Sequence, residues 1–251
     1  MLFQIHGTQI FIIGSIHRQP QGSRLPRCYS SAVIAAESCF FEHDPGTLPS
    51  RDRIHYPVWE SLQSRIPAKL FSDTIALYRQ LQISELPLRC KPWWVTLQLG
   101  GTINELSGNS GRNGIDGQLW ALAEQHGKPR FTLDTDIFEM FDSTPLDEQI
   151  AALNPNQLIT NAARLHTAWL NGDAAVMNEI VETGRKVTPI LIQKMFSDRN
   201  LRWLPSILRA IAEGRRAVFV VGAGHVVVGQ QSLRQLLKSE PHGHNLIHLH
   251  P

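Results

Sequence analysis

With 251 residues, 42% hydrophobic and 18% charged, the chain is long enough for one large α/β domain and reads as globular. A net charge of +2 is too small to argue for nucleic acid or an anionic membrane surface as partner. No stretch reaches the ~18 consecutive apolar residues of a membrane span, so stable membrane insertion is not expected.

Cys28, Cys39 and Cys90 are odd in number and include no C-x-x-C pair, which argues against a disulfide framework or a thiolate zinc site. Met1 to His6 carries neither the basic segment nor the long apolar core of a signal peptide. That fits a cytoplasmic protein or the mature form of an exported one.

In chain order, Phe3–His6 and Gln9–Ile13 flank Gly7-Thr8, which reads as a tight hairpin or as a continuation into the first buried strand. The second arm runs into I-F-I-I-G-S-I-H, Ile10 to His17, and this octapeptide has a near-copy in V-F-V-V-G-A-G-H, Val218 to His225. In both, four apolar residues rich in Val and Ile precede a Gly, and a His follows three residues later. The apolar run predicts a buried strand, the Gly a sharp turn, and the His a place on the carboxyl rim of a sheet, where open α/β folds bind ligands. Parallel pairing of the two strands would bring His17 and His225 together.

After His17, Arg18–Pro26 reads as a rim loop. Val33–Ala36 reads as a second short buried strand, with Glu37 as its rim carboxylate beside the histidines. A carboxylate among imidazoles suits either a hard metal ion or general-base chemistry. From His43 to Pro67 the prolines predict an exposed loop. Helical spacing then follows over 69–82, and again over Trp93–Leu99, ending at Gly100-Gly101. These segments, about 45–105, read as a helical cap inserted into one domain that spans 1–251. Trp93 and Trp94 are read as core.

Glu105–Asn113 is a loop. A helix over Gly117–His126 has Asp116 as cap or first-turn acid, and Arg130–Leu133 is a strand ending in Asp134-Thr135-Asp136. Helices are predicted over 146–170, interrupted at Asn154-Pro155. Others follow over 174–182 (closed by Gly184), 189–196, 201–212 and 229–237. A last strand covers 245–249, with His248 and His250 on one face. The expected fold is α/β or α+β, with a central mixed, largely parallel sheet flanked by helices. No P-loop, dinucleotide loop or serine elbow is present.

The two G-x-x-H motifs, Gly14–His17 and Gly222–His225, resemble those of the TraB/PrgY/GumN family, which includes the TIKI metalloproteases. Further landmarks stand in the same order. They are Glu37, Gly114-Ile115-Asp116, Ala123 with Gly127-Lys128-Pro129, Leu133-Asp134-Thr135, Gly172-Asp173, and Arg199-Asn200 followed by Trp203. Asp134 stands where the family carries Glu, and one extra residue precedes Gly229.

The resemblance implies a metal-dependent peptidase acting on a peptide or protein substrate. His17, His225 and Glu37 would hold a divalent Mn, Co or Zn ion. Glu37 would be ligand or general base, and Asp116 a further or second-sphere ligand if not simply a helix cap. Arg199 would stabilise an oxyanion or orient Glu37, unless it forms a buried ion pair within its own turn. Two other readings remain open: a peptide-binding regulator without catalysis, and metal-free His/Glu hydrolysis.

Overall fold

A computed structural model describes residues 1–249, the side chains of 155–162 excepted. The strands are β1 (Leu2–Ile5), β2 (Ile10–Ser15), β3 (Gln19–Pro20), β4 (Ser38–Phe41), β5 (Asn109–Ser110), β6 (Arg130–Thr132), β7 (Ala217–Gly222) and β8 (Leu246–Leu249). Six of them form one sheet in the order β6-β4-β7-β2-β1-β8. β6, β4, β7 and β2 run parallel, while β1 is antiparallel to both β2 and β8. The fold is therefore mixed α/β with a largely parallel central sheet. β3 and β5 make a separate two-stranded ribbon over the carboxyl rim.

The β1–β2 hairpin turns at Gly7, whose φ of +74° is the left-handed conformation glycine adopts without strain. The runs Ile10–Ile13 of β2 and Ala217–Val221 of β7 are fully apolar because helices cover both faces of the sheet. One face packs against helices Arg27–Ala35, Ile115–Gln125 and Ala174–Val187, the other against helices Arg199–Ala212 and Leu233–Ser239. Ile12, Phe219 and Trp203 are wholly buried between these layers, each such side chain contributing ~1.5–3 kcal/mol of transfer free energy. Helices within 51–106 have a third core around Leu62, Tyr78, Val95 and Leu99, closed by Leu153.

Several boundaries differ from the sequence reading. Val33–Ala36 is not a strand: Arg27–Ala35 is a helix that starts after Pro26, and the strand is β4. Alanine-rich S-A-V-I-A favours helix, whereas S-C-F-F carries the aromatic residues that suit a pleated surface. The helix predicted over Trp93–Leu99 runs from Pro92 through Gly100-Gly101 to Leu106. The helix of 174–182 likewise passes through Gly184 to Val187, because Gly184 lets Ile192 pack close by. These three glycines fail to stop a helix because the packed apolar face outweighs the ~1 kcal/mol that each glycine costs in a helix interior. Arg199 lies at the start of a helix continuous with the π-helical turn Gln193–Asp198, not in a loop. His225 lies in a short helix, Ala223–Val227. His250 lies outside the described residues. Among the described residues, no helix is long and apolar enough to cross a membrane.

Candidate functional site

β2 and β7 pair in parallel with Gly14 opposite Val221 and Ser15 opposite Gly222, so the twin octapeptides lie side by side, staggered by one residue. Both turns are tight. A Cβ on Gly14 would stand 3.2 Å from the Ala223 Cα. A Cβ on Gly222 would stand 3.1 Å from Glu42 Oε1, 3.6 Å from His225 Cδ2 and 3.8 Å from His17 Nε2. Gly222 is thus the wall of a small space on which both histidines and Glu42 converge. His17 and His225 meet at the rim as the repeat predicts.

The carboxylate beside them is Glu42, not Glu37. Glu37 precedes β4 and therefore lies at the amino edge of the parallel strands, the far end from the histidines. It is exposed and pairs with Arg216, which precedes β7 at that same edge. The displacement follows from the misread strand: with β4 at Ser38–Phe41, the first residue past its carboxyl end is Glu42. Glu42 is 5% exposed. Its Oε1 accepts a hydrogen bond from the Gly222 backbone N–H, and its Oε2 accepts from Arg199 Nη2. Burial alone would raise its pKa. Arg199 first, then His225, His17 and the Gly222 N–H, together outweigh that and hold the carboxyl well below the usual carboxylate range.

Arg199 organises the inner half of the site. It is 3% exposed and stacks over Trp203, with its carbon Cζ 4.5 Å from the ring centroid. Its Nε donates to Asp134 Oδ2 at 2.9 Å, and Nη2 donates to the same oxygen at 2.7 Å as well as to Glu42. Nη1 donates to His225 Nε2 at 3.0 Å and to the Met195 carbonyl at 3.4 Å. A guanidinium has five N–H donors, and these contacts engage all of them. The ion pairs reach two strand ends rather than closing within the 198–200 turn. No donor is left over for an oxyanion, so that expected role is not supported by the geometry. Arg199 does orient a glutamate, and that glutamate is Glu42.

Asp134 follows β6 as Glu42 follows β4, and its backbone N–H donates to the Glu42 carbonyl at 2.8 Å. Its Oδ1 accepts from Trp203 Nε1 at 2.9 Å. Asp134, Asn200 and Trp203 stand in the motif-bearing segments, yet sequence reasoning gave them no role. Their mutual positions arise only when β6 and helix Arg199–Ala212 close on the same rim.

The two histidines sit in opposite environments. His225 is 4% exposed, flanked by Phe196 and Trp203, and burial pushes its pKa down to about 3 despite the nearby Glu42. The His17 side chain is 53% exposed. Its Nδ1 lies 3.2 Å from Asp116 Oδ2, and that carboxylate pushes the imidazole up to about 9. Asp116 reaches this position because helix Ile115–Gln125 starts directly against the His17 backbone. The Ile115 N–H donates to the Ile16 carbonyl at 3.0 Å, and a Cβ on Gly114 would collide with the His17 carbonyl. His43, next to Glu42, has its ring centroid 6.3 Å from that of His17, and its Nδ1 is buried with no partner among the described residues.

The expected divalent ion was to sit between His17 and His225. His17 alone suits it: a carboxylate behind one ring nitrogen is the usual support for a metal-bound imidazole. The set as a whole does not fit. The His225 Nε2 lone pair is occupied by Arg199, Glu37 is at the other end of the sheet, and among the described residues no three His, Cys, Asp or Glu side chains are grouped to hold an ion.

The sequence model of the TraB/PrgY/gumN family matches residues 2–242. Two curated proteins, each described as uncharacterized protein YbaP, from Escherichia coli (strain K12) and Shigella flexneri, are 28% identical over 235 residues. Each match covers 90% of this chain and 87% of the relative. No solved structure matches.

Proposed function

The chain belongs to the TraB/PrgY/gumN family, and we propose that it is a hydrolase of peptide bonds whose reacting edge is His17 with Asp116 and Glu42. One observation carries this reading. Around Gly222, the buried groups are committed to one another, whereas His17 Nε2 is unpartnered among the described residues and faces the same space as Glu42 Oε1.

Amide hydrolysis needs an acceptor for a proton of the attacking water and a donor for the leaving amine. Glu42 Oε1 supplies the acceptor, while its other oxygen stays on Arg199. His17, with a pKa of about 9, is protonated at neutral pH and supplies the donor through Nε2 while Asp116 holds Nδ1. Water oxygen bonds to the carbonyl carbon, the carbon–nitrogen bond breaks, and the proton left on Glu42 returns to His17 through solvent. A metal-dependent version, with Mn, Co or Zn, is a second reading favoured by the Asp116–His17 pair. It would require Arg199 to leave His225.

The test is mass spectrometry of a peptide library incubated with the protein, with and without chelator and with each ion added back. Cleavage lost in His17→Ala and Glu42→Gln, kept in Glu37→Ala and indifferent to chelator supports the first reading. Loss with chelator and recovery with one ion supports the second. Intact peptides under every condition would sink both and leave a peptide-binding regulator.

A further inference from the structure

We infer that His225 is a positioning residue in this chain: Asn200 fixes its tautomer, and the ring nitrogen so exposed is an acceptor dedicated to Arg199. The inference uses the proposed site only to say what is positioned, namely Glu42 through Arg199.

The hydrogen bonds identify each atom without reference to a titration. Asn200 Nδ2 lies 2.7 Å from the Gln231 carbonyl and 3.1 Å from the His225 carbonyl. Both carbonyls can only accept, so the amide nitrogen of Asn200 is assigned and its oxygen points the other way. That oxygen is 2.8 Å from His225 Nδ1. An amide oxygen cannot donate, so Nδ1 carries the proton. Nε2 is then bare, and the group 3.0 Å from it, Arg199 Nη1, can only donate. Each link leaves one choice for the next, from a backbone carbonyl to a guanidinium.

The neighbours reinforce the assignment. Asn200 is wholly buried, and Phe196 and Trp203 flank the ring, so neither side chain has water as an alternative partner. A metal ion would need the same Nε2 lone pair, or would have to take the proton from Nδ1 and strand the Asn200 oxygen. His17, although it comes from the matching repeat, is held only at Nδ1, by Asp116, and its Nε2 has no partner among the described residues. The repeat therefore delivers two histidines with different tasks: one holds the arginine, the other meets the substrate.

The experiment is long-range 1H–15N correlation of the histidine rings in the full-length protein at neutral pH, the His225 signals being those absent from His225→Gln. The expected pattern is a protonated Nδ1 and an unprotonated, hydrogen-bonded Nε2, neither moving when excess Zn2+ is added. Asn200→Asp, which keeps an acceptor for Nδ1, should preserve that tautomer. Asn200→Leu should lose it and give a mixed or inverted pattern. A protonated Nε2 in the wild-type protein, or a His225 Nε2 signal shifted by Zn2+, would overturn the inference. The wild-type spectra decide even if an Asn200 variant fails to fold, and should His225→Gln not fold, sequential backbone-to-ring assignment of the wild-type protein identifies the same signals. Absence of peptidase activity would leave the spectra unchanged, so the two proposals fail separately.

Discussion

The ends of β2 and β7 are built from nearly the same eight residues, yet they are chemically opposite. At the β7 end, His225 is sealed under aromatic rings, and Asn200 and Arg199 hold both its nitrogens. At the β2 end, His17 is half exposed, and only its Nδ1 side is held. The difference comes from what each strand end meets. β7 runs into a helix lying against helix Arg199–Ala212, whereas β2 runs out toward the ribbon of β3 and β5. A repeated motif fixes where a side chain stands. Its neighbours decide whether that side chain is structure or chemistry.

The largest expected effect lies on the sealed side. Arg199→Met would leave Glu42 and Asp134, both nearly inaccessible to solvent, without the cation that faces them. Removing one partner of a buried ion pair costs ~3–5 kcal/mol, because the stranded charge remains buried. Urea denaturation at neutral pH should show a loss of that order. Asp134→Asn added to Arg199→Met should recover part of it, since one of the two stranded charges is gone. A loss below ~1 kcal/mol in the single variant would mean that water reaches the carboxylates and that the sealed half is not sealed.

A smaller contrast should appear in pH dependence, with opposite signs for the two histidines. The unfolded chain binds a proton at each imidazole below its ordinary pKa of about 6.5. His225 stays neutral in the folded state down to about pH 3. The unfolded state therefore binds more protons in that window, and stability falls as pH drops below 6.5. His17 is raised to about 9. Its contribution is fully present below about 6.5 and is lost as pH rises through 9, reduced by its exposure. Urea midpoints across that range should decline on both sides for the wild-type protein. In His17→Ala the alkaline decline should shrink while the acid decline stays. Shrinkage of the acid decline instead would mean that the two environments had been assigned to the wrong histidines.

Much of the frame was legible because it rests on short-range signals. Apolar runs closed by glycine marked β2 and β7, and the parallel pairing brought His17 and His225 to one rim. Asp116 marked the start of the helix that supports His17, as a first-turn acid rather than a cap, since the helix begins at Ile115 after Gly114. The rest depended on contacts that no local pattern carries. Glu37 and Glu42 both follow short apolar runs, and periodicity cannot separate a helix turn from a strand over four residues. The clue available was composition, alanine before one and phenylalanine before the other. Arg199 and Asn200 start one helix and Asp134 follows β6, two segments whose meeting is tertiary, so their roles appear only when the hydrogen bonds at the rim are traced.

The smallest expected effect tests that correction most directly. Glu37 and Arg216 form an exposed pair at the amino edge, with side chains 55% and 54% accessible. Arg216 favours the ionised form of Glu37, but solvent screens the pair, and isolated surface pairs contribute little. Glu37→Ala should therefore leave the urea midpoint and kcat/KM within error of wild type. His17→Ala should lower the midpoint at neutral pH by no more than the alkaline decline it removes, because its ring is half exposed, yet it should abolish turnover. The pair of variants separates position from residue type: two polar side chains of similar exposure, at opposite ends of parallel strands, with one expected to matter. If Glu37→Ala lowered kcat/KM tenfold while His17→Ala did not, the reacting edge would lie at the amino end of the sheet. The carboxyl-rim assignment would then fail together with the role given to Glu42.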